Sequence, residues 1–147
     1  MYRSDGNLDR TLLVTAFRGK VFAVDRATGE QRWRYEMGFG TIELGFAILD
    51  GQTVVIAASS THLGIVRYDT GAELRLVDRD KHERGIGSRS VLLVDGSQLF
   101  LSGSGSVACY TLTGEFVWEQ YFRGEGEGVV AIGLPGNVRQ ADDKGSR

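Results

Sequence analysis

Two kinds of turn recur along this chain at nearly one interval, and that interval restricts the fold more than any other feature. Asp50-Gly51 and Asp95-Gly96 lie 45 residues apart. Thr28-Gly29, Thr70-Gly71 and Thr113-Gly114 are spaced by 42 and 43 residues. A tryptophan stands four residues after the first and third of these glycines, at Trp33 and Trp118. Asp-Gly between apolar runs signals a tight hairpin, because a type I′ turn needs positive φ at both central positions. Thr-Gly after a strand supplies another turn in which glycine takes positive φ. A repeat of about 42–45 residues holding four short strands is the unit of a propeller blade.

The apolar stretches between these turns agree with that unit. They are short, rich in β-formers and bounded by Gly or Asp-Gly, for example Leu12–Ala16, Val54–Ala58, Val91–Val94 and Val107–Tyr110. That length and flanking chemistry predict strands, and no helical stripe is sustained over three turns. The 21 glycines and single proline suit many tight turns. The expected class is all-β, with three four-stranded blades at about residues 5–44, 45–89 and 90–134. The second repeat predicts strands at Gly45–Leu49, Thr53–Ala58, Gly64–Tyr68 and Glu73–Val77. The third predicts Ser90–Val94, Gln98–Ser102, Ser106–Tyr110 and Glu115–Tyr121. In the first, Thr11–Ala16, Lys20–Val24 and Gln31–Glu36 are clear, but only Met1–Ser4 remain for an innermost strand. After the third blade Gly128–Leu134 reads as a spare strand, stopped by Pro135-Gly136-Asn137, and residues 135–147 read as a flexible tail.

The stretch Ala23-Val24-Asp25-Arg26-Ala27-Thr28-Gly29-Glu30-Gln31-Arg32-Trp33 fits A-x-D-x-x-T-G-x-x-x-W. It resembles the repeat of PQQ-like β-propellers, the family of quinoprotein alcohol dehydrogenases and outer-membrane assembly propellers. The third repeat keeps Ala108, Thr113-Gly114 and Trp118; the second keeps Asp69, Thr70 and Gly71, with Leu74 and Leu76 as its apolar content. The resemblance implies the fold, with Trp33 and Trp118 wedged between neighbouring blades. It does not imply the quinone cofactor, and none is expected.

Charge and cysteine content narrow the function classes. The net charge is −2, from 17 basic and 19 acidic residues spread along the chain. That argues against binding nucleic acid or an anionic membrane surface through a basic patch. Cys109 stands alone, so no intrachain disulfide or thiolate metal cluster is expected. Met1–Gly6 opens polar with no signal-type apolar stretch after it, and no run is long enough to span a membrane. The expectation is a cytoplasmic protein.

No catalytic constellation is legible, so the expectation is not an enzyme. A quinoprotein-like enzyme fragment is the weakest reading, because the family's vicinal disulfide needs a second cysteine. Gly103-Ser104-Gly105-Ser106 links two strands, which favours a hairpin turn over a phosphate cradle. His62 and His82 fall in different loops, so independent roles are favoured over a shared metal. The most unusual stretch is Asp78-Arg79-Asp80-Lys81-His82-Glu83-Arg84, at the D-to-A connection of the second blade. In a propeller such connections share one end with the B-to-C loops, here including His62 and the Arg18-Gly19-Lys20 turn, and with Arg123. A solvated turn is one reading. The other makes Arg79, Asp80, Lys81, His82, Glu83, Arg84, His62 and Arg123 candidates for binding a protein partner.

Three blades form an open arc with exposed faces and edges, which isolated repeats cannot bury. The leading expectation is a two-fold dimer closing a six-bladed ring, in which Gly128–Leu134 of one copy supplies the innermost strand missing from the other. The expected function is a scaffold that binds a protein partner. The alternative is a carbohydrate-type ligand propeller using Phe17, Phe39 or Phe122.

Overall fold

The structure is a computed structural model and describes residues 8–38, 40–86, 90–128 and 130–139. Met1–Ser4, Phe39 and the tail from residue 140 onward, all singled out above, lie outside the described residues.

The first sheet contains β1 (Leu12–Phe17), β2 (Lys20–Asp25) and β3 (Gln31–Glu36) in antiparallel order. The second runs β4 (Glu43–Leu49), β5 (Gln52–Ala58), β6 (His62–Arg67) and β7 (Glu73–Asp78). The third runs β8 (Leu92–Asp95), β9 (Gln98–Ser102), β10 (Ser106–Thr111) and β11 (Phe116–Tyr121). Within each sheet every strand pairs with its sequence neighbour, as in an up-and-down propeller blade, and the described residues are all-β apart from one short 3-10 turn. Asp50 and Gly51 take φ of 52° and 77°, the pair of positive values that a type I′ turn requires. Each sheet of the three carries a register shift at the same place between its last two strands, at Ala23/Val24, Ile65/Val66 and Cys109/Tyr110. A bulge strengthens local twist, and its threefold recurrence is a repeat marker independent of the turn motifs.

Strand alternation splits the middle sheet between two cores. Val54, Ile56, Ala58, Leu63 and Ile65 pack with Leu92, Leu99, Leu101, Ala108 and Tyr110 of the third blade. Val55, Ala57 and Val66 pack with Val21, Ala23, Trp33 and Tyr35 of the first. A strand buried on both faces reads as the continuous apolar run Val54-Val55-Ile56-Ala57-Ala58 for this reason.

Trp33 is 7% exposed, and its indole Nε1 donates to the Tyr68 carbonyl at 2.8 Å. It lies on the Thr70-Gly71 turn so closely that a Cβ at Gly71 would stand 2.5 Å from its ring. Arg75 occupies the corresponding position of the second blade. Its Cγ lies where a Cβ at Gly114 would come within 2.8 Å. Thus Arg75, through its aliphatic stem, fills the slot, and not Leu74 or Leu76, the apolar content of this repeat. Those leucines are exposed instead.

Of the two tryptophans expected between neighbouring blades, Trp118 is not covered by a blade among the described residues of this chain. It pairs across the ladder with Cys109 on the outward face of the third blade, near Phe100, and is 42% exposed. The motif places the ring on a face, but burial there needs a further sheet.

The spare strand is also shorter and better partnered than expected. It begins at Ile132, and β12 (Ile132–Leu134) turns through Pro135-Gly136 into β13 (Asn137–Arg139), with which it pairs. Gly136 has a φ of 82°, close to the 77° of Gly51 in the β4–β5 hairpin. The supposed stop is therefore a hairpin turn, and residues 137–139 belong to a strand rather than to a loose tail. Asn137 Nδ2 donates to the Val94 carbonyl at 2.9 Å and ties this hairpin to β8.

Candidate interaction face

The charged connection after β7 is organised from within. Asp78 caps a 3-10 turn (Arg79–Lys81), its carboxylate accepting the Asp80 N–H at 3.1 Å. The Arg79 N–H donates to the Thr61 carbonyl at 2.9 Å, so the turn is stitched to the β5–β6 loop. This geometry swings the Arg79 side chain between the second and third blades, where it is fully buried.

All five guanidinium N–H groups find acceptors there. Nε and Nη2 form a fork on the two Glu83 carboxylate oxygens, each at 2.7 Å. Nη1 donates to the Ser59 carbonyl at 2.6 Å and to Ser90 Oγ, and Nη2 also donates to the Ser102 carbonyl at 3.1 Å. Tyr110 completes the set, its hydroxyl donating to Glu83 Oε2 at 2.7 Å. Burial, and then the bond to Glu83, push the Tyr110 phenol far above its ordinary pKa. A planar fork matched to a carboxylate suits such a desolvated pair, whose removal from water is costly unless every donor is satisfied.

Arg79 and Glu83 were therefore misplaced as partner-binding candidates: both are buried and spent on holding two blades together. The remaining candidates do reach the surface. Asp80, Lys81, His82, Arg84 and Arg123 are exposed, and His62 is half-buried. His82 stacks on Phe116 with ring centroids 5.4 Å apart. His62 Nδ1 lies 2.9 Å from Thr61 Oγ1, and its backbone pairs with Asp78 at the start of the turn.

Arg84 and Arg123 converge on one aromatic. Arg84 and Tyr121 line a cavity of about 180 Å³ together with Ile86, Ser104 and Glu127. The Arg123 guanidinium carbon stands 6.0 Å from the Tyr121 ring centre, within cation–π reach. The wall of this cavity is held by Glu119, a residue that sequence reasoning missed. Its carboxylate accepts the backbone N–H groups of Arg84 and Gly85 at 2.9 Å. Nothing local marks Glu119, because its partners lie about 35 residues upstream and meet it only when the blade is assembled.

The Gly103–Ser106 segment is the β9–β10 hairpin turn, Gly103 N donating to the Ser106 carbonyl at 2.9 Å. Its glycines serve close approach: a Cβ at Gly103 would lie 2.1 Å from the Gly85 carbonyl oxygen. Cys109 is buried, and burial pushes its thiol pKa up, away from the reactive thiolate. Among the described residues, no three His, Cys, Asp or Glu side chains gather at a metal-holding distance. Also among them, no helix is long and apolar enough to cross a membrane.

No family model matches the chain, and no curated protein matches it either. Among solved structures, it is similar to BamB from Moraxella catarrhalis, with 24% identity and a TM-score of 0.48. The match covers 76% of this chain and 33% of that one, so the chain spans about a third of that protein's length.

Proposed function

We propose that this chain is a non-catalytic β-propeller interaction module that closes its ring with a second copy. In this reading it receives a protein partner on the end bearing Asp80, Lys81, His82, Arg84, His62 and Arg123. The observation that carries the partner site is the clamp beneath it. The exposed charges sit on a turn whose own Arg79 and Glu83 are anchored in the inter-blade core. A loop held in one conformation loses little entropy on binding, which favours recognition over simple solvation.

The strand-exchange route to the ring takes a modified form. The pairing edge of Ile132–Leu134 already holds Asn137–Arg139 of the same chain. β12 either exchanges this three-residue partner for β1 of a second copy or offers it the other edge, which has no strand partner among the described residues.

The partner site is tested by immobilising the wild-type chain beside a Lys81→Glu/Arg84→Glu variant and comparing, by quantitative mass spectrometry, what each retains. The variant must keep the wild-type circular dichroism spectrum and melting temperature. A protein retained by the wild type and lost from the variant, and bound again when both are purified, supports the reading. Equal retention by both baits, or none by either, overturns it.

A second reading, binding of a carbohydrate-type ligand, is favoured by the exposure of Phe17 at 55% and Phe122 at 48%. Aromatic faces at loop ends can stack on sugar rings. Binding on a glycan array that is lost in Phe17→Ala or Phe122→Ala would select it.

A further inference from the structure

We propose that Trp118 is the docking residue through which one copy of this chain closes on another, its indole seating on the Thr28-Gly29 turn of the second copy. This rests on the self-assembly reading above and specifies its junction.

The chain contains its own template for that contact. The residue four places after each Thr-Gly glycine reaches the Thr-Gly turn of the following blade. Trp33 seats on Gly71, and Arg75 seats on Gly114. The third member of the series is Trp118, which faces outward with no further complete sheet described beyond it. The series also predicts that the first blade's turn should receive such a residue. Among the described residues, Gly29 has no atom within 4 Å of where its Cβ would stand, whereas Gly71 has the Trp33 ring at 2.5 Å. Among the described residues, one end of the arc thus presents an unseated ring, and the other an unfilled seat.

The empty seat already has the shape of the filled one. Gly29 and Gly71 have φ of 79° and 76°. Gly29 N donates to the Asp25 carbonyl and Gly71 N to the Arg67 carbonyl, both at 2.8 Å. Arg26 N donates to the Thr11 carbonyl, as Tyr68 N does to that of Thr53. Arg26 is therefore the counterpart of Tyr68, whose carbonyl receives the Trp33 indole N–H. In the junction the Arg26 carbonyl of the second copy receives the Trp118 N–H.

The aromatic surroundings agree. Beside Trp118 lies Phe100, at 6.2 Å between ring centres. On the outward face of the first blade, Phe17 stacks on Phe22 at 5.3 Å, and Leu13 is 61% exposed. Two apolar faces of this kind gain free energy by covering each other. A second copy is the fitting occupant because it carries both halves of the contact. Propellers typically hold 4–8 blades, so two three-blade arcs make a ring of ordinary size with two equivalent junctions.

The test uses Trp118→Ala, which removes the ring, and Gly29→Asn, which fills the seat while tolerating the left-handed backbone. Masses of both variants, of the wild type and of an equimolar mixture of the variants are read by sedimentation over a concentration series. Circular dichroism melts serve as the folding control. The wild type is expected at twice 16.1 kDa. Each variant is expected to dimerise at least about tenfold more weakly, as for loss of an interfacial tryptophan anchor. The mixture is expected to recover part of the dimer, because Trp118 of the Gly29→Asn copy meets an open Gly29 on the Trp118→Ala copy. A wild type that stays monomeric overturns the self-assembly reading and this junction together. A wild-type dimer unmoved by either substitution, or variants whose mixture recovers nothing, overturns the junction alone and sends the search to another surface.

Discussion

Arg79 and Glu83, four residues apart in a loop of uniformly polar sequence, form a fully buried bidentate ion pair with both N···O distances at 2.7 Å. The pair joins the β5–β6 loop, through Ser59, to the third blade, through Ser90, Ser102 and Tyr110. It sets the position of the charged residues around it, so the candidate interaction face depends on a structural clamp.

Breaking one half of that clamp leaves an uncompensated charge in the core. Glu83→Ala is expected to cost about 3–5 kcal/mol in urea denaturation. The double variant Arg79→Met/Glu83→Leu is expected to cost less than the sum of its two single changes. Additive losses would mean that the two side chains act independently.

The two tryptophans share a motif but not an environment, and their substitutions should separate accordingly. Trp33→Ala is expected to destabilise the chain by about 3–5 kcal/mol, the range for a buried aromatic. Trp118→Ala, measured at concentrations low enough to keep the chain monomeric, is expected to cost under about 1 kcal/mol. Equal costs would mean that Trp118 is covered within a single chain.

Gly103 and Gly85 approach so closely that no side chain fits between them. Gly103→Ala places a Cβ against the Gly85 carbonyl oxygen and is expected to cost about 1–3 kcal/mol, typical of overpacking. Gly124, which follows β11, has no atom of the described residues within 4 Å of its would-be Cβ. Its left-handed φ of 81° adds only local backbone strain, so the melt of Gly103→Ala should show a larger shift than that of Gly124→Ala, together with weakened protection of the Ser104 amide.

Alkaline pH should unfold this protein through its buried phenols. Tyr110 and Tyr35 each donate to a carboxylate, Glu83 and Glu73, and burial with those bonds raises both above the ordinary 10.0. In the unfolded chain these phenols ionise near 10.0, whereas the folded chain keeps them protonated. Their stabilisation is therefore complete below that value and is lost as pH rises through the raised folded pKa values. Melting temperature should fall steadily past pH 10. Tyr110→Phe should lower stability at neutral pH and flatten the alkaline slope. An unchanged slope would assign the alkaline loss to other groups.

Acid acts on the first-blade turn in the opposite sense. The backbone N–H of Ala27, followed by Arg32 and the Thr28 N–H, holds the Asp25 carboxyl below its ordinary 3.8. Its contribution is present above that value and lost as pH falls through the lower folded pKa. Asp25→Asn should therefore reduce the acid dependence of the melt while leaving its alkaline side unchanged.

The sequence by itself determined the strands, their turns and the blade repeat, because each is a local matter. A hairpin needs only positive φ at Asp50-Gly51 and a short apolar, strand-forming run on either side, and both are written locally in the sequence. The same locality placed Trp33 and Trp118 at equivalent points of two blades. What only the tertiary structure decided was which of these residues met a partner. Trp33 is buried because a second sheet lies against it, and Trp118, with the same motif, is not. Arg75 fills a tryptophan's slot because its stem lies along the Gly114 turn, a fit with no signature in residue type. Arg79 and Glu83 look like their solvated neighbours in sequence. Their burial rests on acceptors at Ser59 and Ser102, 20 and 23 residues away from Arg79, that converge only when two blades pack. Pairing along the chain is local chemistry; desolvation of a charge or a ring belongs to the assembled neighbourhood.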